Sequence, residues 1–105
     1  MGQTTKLTES EIRAALGALP EWSLLGGKLH REYRFPDFIH AFGFMATAAI
    51  AVEAMGHHPE WSNVWNRVTV DLTTHDAGGV TAKDFKLAET LESLASKLQS
   101  PPERG

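Results

Sequence analysis

The segment from Phe38 to Met55 constrains the fold of this chain more than any other part of its sequence. Pro36 and Asp37 precede it and are typical of a helix start, because proline has a helical φ and a negative charge suits the positive end of the helix dipole. Gly56 follows it and is well suited to end a helix in the left-handed conformation. Apolar residues occupy nearly the whole circumference of this helix, so it needs cover on more than one side. In so small a domain we expect a second subunit to provide that cover.

Length and composition narrow the class of protein. A chain of 105 residues is expected to form one domain, with residues 1–6 and 100–105 frayed. It has no cysteine, which excludes a disulfide framework and thiolate metal sites. Its net charge of −3 argues against nucleic-acid binding. The N-terminal residues lack the hydrophobic core of a signal peptide, and the longest uncharged apolar run, 41–52, is too short to cross a bilayer. We therefore expect a cytoplasmic protein that does not enter membranes.

Capping patterns predict a further helix near each end of the chain. Thr8 and Glu11 have the spacing of a capping box, in which each side chain bonds the other residue's backbone N–H. Thr81 begins the last helix, and Asp84 lies three residues later, so one role open to Asp84 is to complete this cap. The apolar stripe of the last helix repeats at helical spacing and consists of Phe85, Ala88, Leu91, Ala95 and Leu98.

Alternating polar and apolar residues predict four strands. The first two, 22–25 and 28–35, flank a turn of two glycines. The segment 60–74 alternates in the same way, and we place a hairpin turn at Asn66-Arg67 that divides it into two strands. The order α-β-β-α-β-β-α predicts an α+β fold. We expect a two-layer sandwich with three helices on one face of a four-stranded antiparallel sheet.

Three histidines fall at the ends of these predicted elements. His57 and His58, followed by Pro59, come directly after the long helix, and His75 comes after the last strand. An imidazole exchanges protons near neutral pH, so histidines in a fixed loop suggest acid–base chemistry, metal binding or anion capture. If the strands between them form a hairpin, the two loops meet in one pocket. The alternative is that each histidine is a loop residue with its own hydrogen bond.

A zinc site is the first functional alternative, because three histidines can hold a catalytic zinc. Adjacent residues of an extended segment point in opposite directions, which makes His57 and His58 poor joint ligands. The sequence also has no His-x-His or His-Glu-x-x-His pair. We therefore expect no metal and no other cofactor.

Several residues near the histidines have both a structural and a functional interpretation. Glu53, four residues before His57, can pair with that imidazole across the last helical turn or remain solvated. Trp61 and Trp65 can belong to the core or line a pocket for a flat ring. The two other histidines, His30 and His40, have no comparable context and are interpreted as structural or solvated.

Taken together, these residues resemble the signature of the pterin-4α-carbinolamine dehydratases. The resemblance rests on an acidic residue, a His-His-Pro run, an aromatic, a histidine and an aspartate at set intervals: Glu53, His57-His58-Pro59, Trp65, His75 and Asp84. It extends through 38–45, 57–61, 63–66 and 73–76, and so covers nearly the whole chain. It implies loss of water from a 4a-hydroxytetrahydropterin to give a quinonoid dihydropterin, in the recycling of tetrahydrobiopterin or a related tetrahydropterin. The reaction needs proton transfer alone, and the substrate is a small pterin.

The resemblance also implies roles for individual residues. His57, His58 and His75 correspond to the family's three active-site histidines. We take His57 and His75 as the proton-transfer pair and His58 as the histidine that binds or orients the substrate. Asp84 would orient or electrostatically tune a histidine. The implied substrate-binding residues are Gly56, His57, His58, Pro59, Thr73, Thr74, His75 and Asp76, with Glu53, Trp61 and Trp65 in support.

Two positions depart from the resembled pattern. Gly56 stands where family members often carry a polar or acidic residue, so any contact from that side chain is lost. Asp76 stands where glutamate is common, which shortens the reach of the carboxylate.

The alternative function is a protein-binding module. Some animal members of the family act as dimerisation cofactors of a homeodomain transcription factor, but the three retained histidines favour catalysis. We expect a homodimer or homotetramer in either case.

Overall fold

Three helices and a four-stranded sheet follow one another over residues 5–99, the part of the chain that the computed structural model describes. Of the ends expected to fray, residues 1–4 and 100–105 lie outside this range. Their order confirms the predicted α-β-β-α-β-β-α arrangement. The bounds are α1 Glu9–Ala15, β1 Ser23–Leu25, β2 Lys28–Arg34, α2 Phe38–Met55, β3 Glu60–Val64, β4 Arg67–Leu72 and α3 Ala82–Ser96, with short 3₁₀ turns at 16–18 and 75–77.

The sheet is antiparallel throughout, with the strand order β1-β2-β4-β3. In the central pair, Leu29 lies opposite Leu72 and Tyr33 lies opposite Val68. These residues share one face of the sheet, because side chains alternate along a strand, and all four are buried. The apolar faces of the three helices pack on the same face, so the core lies between one layer of helices and the sheet.

Helix α2 is covered on one side only. Its buried residues, Ala41, Phe44, Ala48 and Val52, repeat at helical spacing and join the core. Four large apolar side chains on its remaining surface are 48% to 77% exposed: Phe38, Ile39, Phe42 and Ile50. We call the surface formed by these four side chains the α2 outer face. Its exposure agrees with the expectation that this helix needs a second cover.

By length and composition alone, α2 could cross a membrane. The helix has 18 residues with a mean hydropathy of 1.6. It is longer than the uncharged apolar run 41–52, which by itself is too short to cross a bilayer. A core helix of a folded domain can have the same length and hydropathy. The buried residues of α2 pack against the sheet and α3, as those of a core helix do.

The predicted helix caps are present. The side chain of Thr8 accepts from Glu11 N while Glu11 accepts from Thr8 N, which confirms the capping box of α1. Asp37 caps α2 by accepting from the backbone N–H of His40 at 2.8 Å, and the same oxygen lies 2.6 Å from the His40 ring. These hydrogen bonds, the one from the ring first, lower the pKa of Asp37.

The turn between β3 and β4 lies one residue earlier than predicted. Val64 pairs with Arg67, so the loop residues are Trp65 and Asn66, and Arg67 is already the first residue of β4. Trp65 has a φ of +50°, in the left-handed region that bulky residues seldom adopt. The side chain of Asn63 donates to the carbonyls of Trp65 and Arg67, at 3.0 and 2.8 Å, and these bonds hold the turn at this position.

A polar cluster crosses the layers around the carboxylate of Glu92 on α3. Trp22 Nε1 and the Tyr33 hydroxyl donate to it at 2.9 Å, and Arg31 donates through Nη2 at 3.1 Å. Burial by itself raises the pKa of Glu92, but the hydrogen bonds from Arg31, Trp22 and Tyr33 outweigh it, and the pKa lies below its usual value. The pKa of Tyr33 is raised, mainly because its hydroxyl is buried and to a smaller extent because of the negative charge of Glu92. The cluster ties α3 to the first hairpin.

Candidate active site

The antiparallel pairing of β3 and β4 brings the two histidine loops together. Gly56 ends α2 with a φ of +65°, and the chain then runs through His57 and His58 into β3. The first residue of β3, Glu60, pairs with Asp71 near the end of β4, and His75 follows four residues later. The loops that precede β3 and follow β4 therefore lie at the same edge of the sheet. The hairpin on which a shared pocket depended is therefore present, and it brings the three histidines to the same edge.

The shared pocket is a cavity of about 260 Å³, which we call the histidine cavity. Seven of the predicted substrate-binding residues line it, together with a lysine that the sequence had not indicated. The lining residues are Gly56, His57, His58, Thr73, Thr74, His75, Asp76 and Lys83. Pro59, which was predicted to bind substrate, is not among them.

Asp84 performs both of the roles that the sequence left open. Its side chain is fully buried, and its Oδ1 lies 2.6 Å from Nε2 of His57. Its Oδ2 accepts from Thr81 N and from the hydroxyl of Thr74, both at 2.8 Å, which completes the capping box of α3. Thr81 and Thr74 also bond to each other through their hydroxyls at 2.8 Å. Asp84, in the first turn of α3, thereby holds the ring of His57.

Of the two interpretations of Glu53, pairing with His57 is not seen: its exposed side chain lies beside His58 instead. Glu53 Oε1 lies 3.3 Å from His58 Nε2. The reason is geometric: the left-handed turn at Gly56 ends the helix, so helical spacing no longer decides which imidazole lies beside Glu53. His57 turns toward the N-terminus of α3, and His58 is left on the side of Glu53.

His75 is paired with Glu60, a residue that the sequence analysis did not identify. Glu60 Oε2 lies 3.1 Å from His75 Nε2, while its Oε1 accepts from Lys28 Nζ at 2.6 Å. The hydrogen bond from Lys28, with a smaller contribution from His75, lowers the pKa of Glu60, and Glu60 in turn raises the pKa of Lys28. One signal was available: Glu60 opens the strand that pairs with the one leading to His75.

Each of the three histidines thus directs Nε2 at a carboxylate. At His57 and His75 the contact is a hydrogen bond in which the carboxylate can only accept, so Nε2 carries the hydrogen and the lone pair of a neutral ring lies on Nδ1. The three carboxylates differ in exposure. The side chain of Asp84 is 0% exposed, that of Glu60 is 42% exposed and that of Glu53 is 80% exposed. His57 is the most firmly held of the three rings, since its own side chain is 12% exposed, whereas those of His58 and His75 are 64% and 77% exposed.

The remaining predicted residues lie away from the histidine cavity. Trp61 pairs with the buried Val70 and packs against the core, which is its structural interpretation. Trp65 is exposed at the far end of β3, about 16 Å along the strand from its first residue. Neither tryptophan lines the cavity, so their predicted role in lining a pocket for a flat ring is not seen.

The two other histidines have structural partners, in agreement with their interpretation. His30 Nδ1 lies 2.9 Å from Asp71 on the neighbouring strand, and His40 is bound at the cap of α2. Among residues 5–99, no three histidine, aspartate or glutamate side chains are grouped so that they could hold a metal ion.

The fold and the site together define a class: α+β proteins in which histidines from a helix end and a strand end face one cavity. The chain matches the family model described as pterin 4 alpha carbinolamine dehydratase over residues 5–94. It therefore belongs to that family.

Named relatives and a solved structure agree with this. The chain is similar to a protein of Solibacter usitatus (strain Ellin6076) that is provisionally named pterin-4-alpha-carbinolamine dehydratase; the two are 67% identical over 93 residues, 89% of this chain and 98% of the relative. A relative from Rhizorhabdus wittichii with the same provisional name is 52% identical over 91 residues, 85% of this chain and 94% of its own. The crystal structure of a transcriptional coactivator/pterin dehydratase from Brucella melitensis superposes with a TM-score of 0.83 at 47% identity, covering 87% of this chain and 99% of that one.

Proposed function

We propose that this protein dehydrates 4a-hydroxytetrahydropterins to quinonoid dihydropterins, and so returns an oxidised pterin cofactor to its recycling route. One observation carries the proposal: His57 and His75, from two separate loops, line one cavity, and a carboxylate orients each ring. Family membership supports a dehydratase, and the geometry supports histidine acid–base catalysis within it.

The reaction requires two proton transfers in the site. The C4a–O bond breaks and the C4a–N5 double bond forms, so one group protonates the departing hydroxyl and another takes the proton from N5. No electron is transferred. His57 and His75 are the proposed pair, because Nε2 of each ring is bound to a carboxylate and Nδ1 remains for the substrate. One ring enters as the imidazolium and gives its Nδ1 proton to the leaving hydroxyl, while the other enters neutral and takes the N5 proton on Nδ1. Asp84 compensates the positive charge that develops on His57 when that ring holds two protons.

The other cavity residues would bind the ring. His58 is exposed and loosely paired, which suits a group that contacts and orients substrate. Thr73 and Asp76 line the cavity as well. Thr74 lines the cavity too, and because its hydroxyl is bonded to Thr81 and Asp84, it would also hold Asp84 in place.

The proposed activity is tested by adding purified protein to freshly generated 4a-hydroxytetrahydropterin and following quinonoid dihydropterin by absorbance. The protein should accelerate the dehydration well above the uncatalysed rate. A rate equal to that of buffer alone would refute the proposal.

We further propose that the protein is a cytoplasmic homo-oligomer, a dimer or tetramer, in which a second copy covers the α2 outer face. Four large exposed apolar side chains on one helix support this, because such a surface on a folded domain is typical of an interface.

The same surface supports a second candidate function, the binding of another protein. The Brucella melitensis relative is described as a coactivator as well as a dehydratase. The two roles are separable, because the α2 outer face and the histidine cavity share no residue.

A further inference from the structure

We propose that a second cavity, beside the histidine cavity, binds a phosphate group carried on the side chain of the pterin substrate. The proposal rests on the proposed dehydratase function, since it concerns the part of the substrate that projects beyond the reacting ring. It names a substrate class: phosphorylated pterins.

The second cavity, which we call the lysine cavity, has a volume of about 340 Å³. Its lining residues are Ala54, Met55, His57, Lys83 and Lys86. Two of them, His57 and Lys83, also line the histidine cavity. The two cavities therefore adjoin at these side chains, and a substituent on a ring held beside His57 can extend into the lysine cavity.

Lys83 occupies a position that helix stability does not favour, and Lys86 lies on the same face of the helix. Lys83 is the second residue of α3 and Lys86 the fifth, and residues three apart lie on the same face of a helix. A cation is disfavoured near the positive N-terminal end of a helix. A local rule broken in this way, next to a candidate active site, points to a functional reason.

Nothing within the described residues offsets these two charges. No carboxylate there lies within ion-pair distance of Lys83 or Lys86, although the chain has a net charge of −3. The acidic residue between them, Asp84, is buried and faces the other way, with one oxygen on His57 and the other on Thr74 and Thr81. The lysine cavity is therefore a cationic pocket in an acidic protein.

A phosphate ester fits this pocket best. Lysine ammonium groups bind phosphate as point charges from flexible stems, and a phosphate close to the positive end of a helix gains from the dipole as well. His57 lines both cavities, so a pterin ring bound beside His57 lies next to the lysine cavity. We therefore place the phosphate on the side chain of the pterin itself.

The test compares two ligands that differ only in the phosphate, 7,8-dihydroneopterin and its 3′-phosphate, by isothermal titration calorimetry. The wild-type protein should bind the phosphate ester about tenfold more tightly, or about 1.4 kcal/mol. Lys86→Gln should bring the ratio of the two dissociation constants close to one, and Lys86→Glu should reverse it. Lys97→Gln, at the opposite end of α3, is the matched control and should keep the wild-type ratio.

Inorganic phosphate at millimolar concentration should weaken binding of the ester and leave that of dihydroneopterin unaffected. Equal affinity of the wild-type protein for both ligands, or a preference that survives in Lys86→Glu, would overturn the phosphate site. If the phosphate site is overturned in this way but the protein still dehydrates the carbinolamine normally, only the phosphate site is refuted and the proposed dehydratase function is kept. If neither pterin binds and no dehydration is seen, both proposals fail.

Discussion

The Nε2 atom of His57 lies 2.6 Å from Oδ1 of Asp84, a carboxylate that is fully buried at the start of α3. The other oxygen of the same carboxylate accepts from the backbone N–H of Thr81 and closes the helix cap. The position of the ring is therefore tied to the position of the helix. A change that removes the charge of Asp84 should affect catalysis in a way that a change confined to the cap does not.

Replacing Asp84 by Asn should lower kcat by about 100-fold, because the charge that compensates a protonated His57 is lost. KM should change much less, since the other cavity residues are untouched. Steady-state kinetics of carbinolamine dehydration provide the measurement. The control is Thr81→Ala, which removes the cap hydroxyl and its bond to Thr74 and costs about 1 kcal/mol of stability. It keeps the bonds of Asp84 to His57, Thr74 and the backbone N–H of residue 81. Equal losses of kcat in the two variants would show that Asp84 acts only through the helix.

Glu60 is expected to act as a positioning residue for His75. Glu60→Gln removes the charge that accepts from both Lys28 and His75, so kcat should fall by about tenfold with little change in melting temperature. In a His75→Ala background, the same substitution should have almost no further effect. The control Glu32→Gln removes an exposed carboxylate of the same sheet, which pairs with Arg67, and should leave kcat unchanged. Additive losses in the double variant would contradict the role of Glu60.

The cluster around Glu92 should contribute to stability in a pH-dependent way. Glu92→Gln weakens the pairing of the buried Arg31 and should lower the free energy of unfolding by about 1–3 kcal/mol at neutral pH. Because the pKa of Glu92 is lowered in the folded protein, its contribution is present above the usual value of 4.5 and is lost as the pH falls through the lowered pKa. Urea unfolding at several pH values should show the difference between wild type and variant shrinking below pH 4.5. Glu89→Gln, an exposed change on the same helix, should show no such trend.

The α2 outer face should control self-association. Ile39→Glu places a charge at the most exposed of the four apolar residues of this face and should shift the protein from an oligomer toward the monomer. Light scattering coupled to size-exclusion chromatography measures the mass directly. Leu25→Glu, an exposed apolar residue at the first hairpin, is the matched control and should leave the mass unchanged. A monomeric wild-type protein would contradict the proposed oligomer.

Sequence reasoning succeeded where partners lie close together along the chain. The capping pair Thr8 and Glu11 was predictable because the two residues are three positions apart and the bonds need only helical geometry. The hairpin turn was misplaced by one residue because the side chain of Asn63 stabilises a left-handed Trp65, a contact that turn preferences alone do not contain.

The missed contacts are those that depend on how elements dock. The bond between Trp22 and Glu92 joins residues 70 positions apart, and it follows from α3 packing across the first hairpin. Glu60 meets His75 because β3 and β4 share a register that periodicity does not reveal. The same limit applies to Glu53: helical spacing suggests a pairing with His57, whereas the turn at Gly56 decides which imidazole faces the helix.

The central claim is that His57 and His75 transfer the protons of carbinolamine dehydration. The most direct test measures kcat for wild type and for His57→Ala, His75→Ala and the double variant, with melting temperatures to confirm folding. We expect a large loss in each single variant, greater for His57 because its ring is the more firmly held, and a rate near the uncatalysed one in the double variant. A double variant that folds and dehydrates the carbinolamine at the wild-type rate would contradict the account.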